Sequence, residues 1–139
     1  NNHNIYTAFI RGFVDCDGCL VFQRRTGKYK LFKRKFHTYP KIEIKIVSEQ
    51  MIKNLSYMLN KLGIAHTTHI TKSKNANVYR IVIRGPSRIK LWIEKIGFNN
   101  SSQFSKYLIW KKFGFCPIRT NLKQRKLILQ NKLDPYSLY

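Results

Sequence analysis

Ile5, Ala8, Phe9, Gly12 and Phe13 recur at helical spacing and stop at Asp17-Gly18, which predicts a helix over residues 4–16 ended by a glycine. The period then changes. Leu20 and Phe22 alternate with Val21 and Gln23, Gly27-Lys28 reads as a turn, and Ile42, Ile44 and Ile46 alternate with Lys41, Glu43 and Lys45, so two strands follow, each with one apolar and one polar face. Ser48 can cap a second helix whose stripe of Met51, Ile52, Leu55, Met58, Leu59 and Leu62 runs up to Gly63. A further strand pair is expected at about residues 65–72 and 77–84, where Tyr79, Ile81 and Ile83 oppose Arg80, Val82 and Arg84. Pro86 occupies a first helical position and opens a helix through Trp92 to Gly97, and residues 102–113 and 121–131 read as two shorter helices separated by Gly114 and Pro117.

The order α-β-β-α-β-β-α-α predicts an α+β fold, an antiparallel sheet with helices on one face, since every strand has an apolar side to bury and a polar side to present. With 139 residues and 43% hydrophobic composition the chain is long enough for one core, and residues 1–139 are expected to form one domain. No run of about 18 uncharged apolar residues predicts a membrane span, and the polar start NNHN does not read as a signal peptide, so a soluble protein is expected. Three cysteines, Cys16, Cys19 and Cys116, are an odd set in a chain that does not need staples, which predicts an intracellular, reducing compartment, cytoplasmic or organellar.

Charge narrows the partner. Twenty-seven lysines and arginines against six acids give a net +21, far beyond what solubility requires, and the excess repels itself unless an anionic partner offsets it. The cations are spread through Arg24, Arg25, Lys28, Lys30, Lys33, Arg34, Lys35, Lys41 and Lys45 to Lys123 and Arg125, not gathered into one amphipathic helix, which favours nucleic acid over a membrane. Gln23, Arg25, Lys41, Lys45, Arg80 and Arg84 on the polar strand faces, with Lys28 and Lys30 in the loop and His69 beside them, are types that reach phosphates and base edges, and a two-stranded ribbon fits the major groove. A solvated basic surface of a small RNA-binding protein explains that charge equally well; it does not explain the acids in "GFVDCDGC", residues 12–19, which hold two of the six.

Asp17 would project from a helix C-terminus, where the dipole is already negative, so a positive partner is expected. Mg²⁺ suits a carboxylate beside an unused backbone carbonyl, because it takes hard oxygens and is completed by water and phosphate. Asp15 and Asp17 paired with two lysines is the plainer alternative. Cys16 and Cys19 form a CxxC without enough partners for zinc and at the wrong end of a helix for redox chemistry, so they read as packing residues. No Ser-His-Asp, P-loop or GxGxxG arrangement is present, which sets aside acyl transfer, NTP hydrolysis and dinucleotide chemistry.

"IRGFVDCDG", residues 10–18, resembles the LAGLIDADG motif of homing endonucleases at Gly12, Asp15, Asp17 and Gly18, with Ile10, Phe13 and Val14 in the apolar slots. "KLGI" at 61–64 and "IGFNNSSQFSKYLIWKKFG" at 96–114 are also similar to the small, intron-encoded members. The resemblance implies a saddle-shaped sheet in the DNA major groove and a motif helix packed against its twin about a two-fold axis. One motif per chain implies a homodimer with Ala8, Gly12 and Asp15 near the axis. It also implies a metal-dependent double-strand DNA endonuclease in which Asp17 and the Cys16 carbonyl hold Mg²⁺. Mn²⁺ would substitute, and Ca²⁺ would permit binding without efficient cleavage. Asp15 would be structural, at the helix end.

This chain departs from the pattern at several places. Arg11 stands in the usual alanine slot. The polar residue commonly found after the second strand falls at Ser48, and the catalytic lysine falls near Ser102 and Gln103 with Lys106 one turn on, so Ser48 and Lys106 are the catalytic candidates beside Asp17. Asn100-Ser101 lacks the proline often found there. Some members act as maturases on their own intron RNA, so intron RNA is a further expected partner and a non-catalytic nucleic-acid-binding protein the alternative.

Overall fold

The computed structural model describes residues 1–26 and 33–139. The elements are α1 (Asn2–Asp17), β1 (Gly18–Thr26), β2 (Lys33–Ile46), α2 (Glu49–Lys61), β3 (Thr67–Thr71), β4 (Val78–Arg84), α3 (Pro86–Lys95), α4 (Ser101–Phe113), α5 (Leu122–Leu129) and a 3₁₀ turn at Pro135–Leu138. The helices and strands expected from the pattern form, with α5 in the segment expected at 121–131 and opened by an Asn121/Gln124 capping box, and the 3₁₀ turn is added to them. The Gly27-Lys28 turn lies outside the described residues, as do Lys28 and Lys30.

Helix α1 starts two residues earlier than the expected residue 4, because the Asn1 side chain accepts the orphan N–H of His3. It ends at Gly18, but not in the left-handed conformation common at helix ends: Gly18 is extended, at φ −94°. Glycine is needed there for space. A Cβ would sit 2.7 Å from Val14 Cγ1 and 2.9 Å from the Val14 backbone, so the chain can turn from helix straight into strand only with no side chain at this point.

The four strands pair antiparallel in the order β1-β2-β4-β3, in registers that include Gly18↔Ile44, Ile44↔Ile81 and Thr68↔Ile81. One face carries Leu20, Phe22, Ile42, Ile44, Ile81 and Ile83, all buried with Ile10 and Val14 of α1, Leu55 and Leu59 of α2, Trp92 of α3 and Ile109 and Trp110 of α4. Each such side chain contributes about 1.5–3 kcal/mol relative to exposure. Pro40 is tolerated in the central strand β2 because β4 ends beside it, and its carbonyl accepts from Gly85 N at 3.0 Å.

Two strands depart from the simple two-faced reading. β3 is exposed along its whole length, so its threonines reflect an edge position, not a buried stripe. Val82, on the polar face of β4, is fully buried between its register partners Glu43 and Thr67.

Candidate functional site

The α1–β1 junction is clasped by the start of α4. The Asp15 carboxylate accepts from Asn99 N (3.0 Å) and Asn100 N (3.1 Å), while Asn100 Nδ2 donates to Asp15 O at 3.0 Å. Gln103 reaches the adjoining strand edge, its Oε1 accepting from Leu20 N at 2.9 Å and its Nε2 donating to Gly18 O at 3.5 Å. Lys106 Nζ donates to Leu20 O at 3.1 Å. Together these side chains satisfy outward-facing groups of β1 that would otherwise form an open sheet edge.

This clasp separates the fates of the two acids. Asp15 is bound to backbone N–H groups of its own chain. Asp17 is exposed, and among the described residues it makes no hydrogen bond or ion pair, the ion pairs there using only Glu43 and Glu49. The backbone beside it lacks a helical donor. Gly18 N goes to Val14 O, and Leu20 N, which in a longer helix would satisfy the carbonyl of Cys16, goes instead to Gln103. One carboxylate and one carbonyl without its helical donor therefore stand side by side at the negative end of α1.

That donor set fits a hard divalent cation that takes its remaining ligands from water, substrate phosphate or another copy. It does not make a closed cage: among the described residues no group of three or more His, Cys, Asp or Glu side chains could hold a metal. Asp17 and Cys16 are the residues that would hold one. The three cysteines are unbridged; Cys16 is exposed, Cys19 half-buried, and Cys116 buried enough that desolvation pushes its thiol up to about 12 despite the Arg125 and Lys106 charges nearby.

Ser48 and Lys106 have partners of their own. Ser48 caps α2, its Oγ accepting from Met51 N at 3.2 Å, and Lys106 covers the edge of β1. The side chains that position the junction are Asn99, Asn100 and Gln103. The sequence placed Asn100 and Gln103 in the right segment, but only the three-dimensional approach of α4 to β1, more than 80 residues away, gives them partners.

The uncovered sheet face is arranged in rows across the strands. His69, Arg80 and Lys45 form one row, Thr67, Val82, Glu43 and Cys19 the next, and Arg84, Lys41 and Val21 a third. Gln23 lies beyond, paired with Tyr39, whose ring lies 4.7 Å below the Arg25 guanidinium. Glu43 is the acid at the centre, 2.7 Å from Lys41 Nζ and 3.6 Å from Arg80. Burial raises the Glu43 pKa, but the Lys41 hydrogen bond and the charges of Lys41, Arg80 and Lys45 outweigh it, so the group lies below the usual carboxylate range. Glu43 thus fixes two of the cations that sequence alternation alone leaves as independent long side chains.

The opposite aspect of α1 is bare. Ala8 and Gly12 are exposed, Ile5 is 64% and Phe9 42% exposed, and a Cβ on Gly12 would meet no atom of the described residues within 4 Å. Packing inside this chain therefore does not account for a glycine that costs a helix about 1 kcal/mol. Asp15 lies on the same helix but turns toward α4.

The model of the LAGLIDADG-like domain family matches residues 4–97, from α1 through α3, and the chain belongs to that family. Its fold is that of LAGLIDADG homing endonucleases. The homing endonuclease I-CvuI, solved in complex with its target in the presence of Ca, matches with a TM-score of 0.56 at 18% identity, over 99% of this chain and 82% of that one. The homing endonuclease I-TnaI matches with a TM-score of 0.53 at 17% identity, over 91% and 97%. The LAGLIDADG meganuclease I-CpaMI, bound to uncleaved DNA, matches with a TM-score of 0.55 at 15% identity over 91% of this chain but 37% of its own. At these identities the likeness establishes the fold. Comparison with curated proteins returns no match.

Proposed function

We propose that this protein is a site-specific double-strand DNA endonuclease of the homing type that acts as a homodimer with divalent metal. The observation that carries the reading is the pairing of an Asp17 carboxylate unengaged among the described residues with a Cys16 carbonyl that lacks its helical donor, at the foot of a helix whose outer face no described residue covers. A bound Mg²⁺ would supply an activated water and offset the charge that develops on the phosphodiester and its leaving 3′ oxygen. Asp17 and Cys16 hold the cation. Asn99, Asn100 and Gln103 fix the junction so that Asp17 keeps its place when DNA docks. Lys41, Lys45, Arg80, Arg84, Gln23, Arg25 and His69 bind phosphates and base edges from the uncovered sheet face, and Lys28 and Lys30 add contacts to the DNA backbone.

A cut on both strands needs two acidic sites. The exposed surface of Ile5, Ala8, Phe9 and Gly12 would meet its own copy across a two-fold axis, where Gly12 lets a second helix approach closely and a second Asp17 comes beside the first. Solved relatives bound to DNA with Ca or with Mg are consistent with the DNA partner and the metals. Ser48 and Lys106 are retained as candidate supporting residues; their caps on α2 and β1 would have to coexist with that role.

Purified protein with Mg²⁺ should linearise a plasmid carrying the insertion site of its encoding intron, and should sediment as two copies. A protein that remains monomeric on DNA and cuts no such plasmid with Mg²⁺ or Mn²⁺ overturns the nuclease reading and leaves RNA binding as the function.

A further inference from the structure

Beside the far end of β1, the loop after α4 and the end of the chain border an open cleft of about 850 Å³ lined by Gln23, Arg24, Lys35, His37 and Arg119 among others. A smaller recess of about 230 Å³ shares Phe22, Ile118, Arg119 and Thr120 with it and adds Lys106 and Arg125. Five cations therefore face two adjoining cavities, and among the described residues no aspartate or glutamate lines either one.

Arg125 is 3% exposed and has no carboxylate partner among the described residues. Neutral oxygens hold it: Ser105 Oγ at 2.8 Å, Ser102 Oγ at 2.7 Å, the Ser102 carbonyl at 3.5 Å, and the carbonyl and hydroxyl of Thr120. These bonds satisfy the N–H groups but leave the charge without an ion pair, and burial lowers its pKa. At the shared lip, Arg119 is held at φ +61°, a conformation rare outside glycine and asparagine. An outlier of that kind points to use when its side chain lines a cavity rich in one sign of charge.

We infer that this cleft is a phosphate-binding site, with Arg119 and Arg24 gripping the anion from the rim and Lys106 and Arg125 supplying positive potential from the recess. The phosphate is either a backbone phosphate of bound DNA or a free one, and the site does not depend on the nuclease reading. Arginine forks suit phosphate oxygens at the rim, where their donors are available, whereas Arg125 acts only through its charge.

Inorganic phosphate titrated into the full chain at constant ionic strength, against a chloride reference, tests it. Arg119→Gly is the informative variant, because glycine accepts φ +61° and removes the cation without straining the fold. Its melting temperature in chloride should match or exceed that of the unmutated protein, while its phosphate affinity falls about tenfold, the loss of one charge-assisted hydrogen bond. Arg24→Gln should act in the same direction, and Arg88→Gln, which removes the same charge from the outer side of α3, should leave phosphate affinity unchanged. If Arg88→Gln weakens phosphate as much as Arg119→Gly, or if Arg119→Gly binds phosphate as well as the parent, the cations act only through net charge and the site is overturned. DNA binding measured over a salt series separates the sources: a slope shallower by about 0.9 in Arg119→Gly identifies a DNA phosphate, and an unchanged slope with lost phosphate binding identifies a free one.

Discussion

Asp15 and Asp17 differ in partners, not in chemistry. Asp15 holds two backbone N–H groups and so belongs to the fold, whereas Asp17 has no partner among the described residues and so is available to a ligand. Asp17→Asn should leave the melting temperature close to that of the parent, since Asp17 makes no bond among the described residues. Cleavage with Mg²⁺ should collapse while DNA binding persists or tighten as repulsion of phosphate is relieved. Parallel cleavage and binding titrations decide this, and undiminished cutting by Asp17→Asn removes it as the ligand. His37 carries a second prediction. Burial, and then the charge of Arg24, hold it below the usual histidine range, and its Nδ1 lies 2.8 Å from Tyr139 Oη. A lowered folded value means that the unfolded chain takes the proton first. Its stabilising contribution is whole above the unfolded pKa of about 6.5 and is lost as pH falls through the folded value. Thermal melts should therefore drop between pH 7.5 and 5, and less steeply in His37→Gln.

Among the elements, α1 and α4 work as a pair. α4 reaches back across more than 80 residues to hold the end of α1 and the edge of β1, which leaves the other side of α1 free to meet a second copy. Gly12→Ala separates the two roles of that helix. No described residue obstructs the added methyl, so the monomer should gain about 1 kcal/mol of helix stability, while self-association weakens because the close approach is lost. Denaturant melts at low concentration and sedimentation at high concentration read the two effects, and a variant that dimerises as tightly as the parent places the interface elsewhere.

For the whole molecule, part of the net charge of +21 gathers on two surfaces. Among the described residues the sheet face presents Lys41, Lys45, Arg80 and Arg84 around Glu43, and the cleft beside β1 with its adjoining recess gathers five more cations. DNA affinity should fall steeply with salt, log K dropping by about 0.9 per log unit of salt for each phosphate neutralised. Arg80→Ala should relax base preference, because Glu43 holds that guanidinium in a set position at the middle of the face. Equal losses on target and scrambled DNA would show that Arg80 contacts only the backbone.

Local chemistry decided what the sequence decided. Alternation gave β1, β2 and β4 their two faces, the apolar stripe and Ser48 set α2, and the run "GFVDCDG" marked the helix end where an acid is out of place. These signals are readable because each depends on residues within about one turn or one strand of each other. Tertiary structure decided which acid is spoken for and which is open, because Asp15 meets its partners only when α4 folds back. It also made Gly18 a spacing residue through Val14, buried Val82 on a polar face, stripped β3 of a covered side and turned Lys106 toward a strand edge. Each of these rests on contacts between distant segments, and a charge pattern along the chain carries no record of which segments will meet.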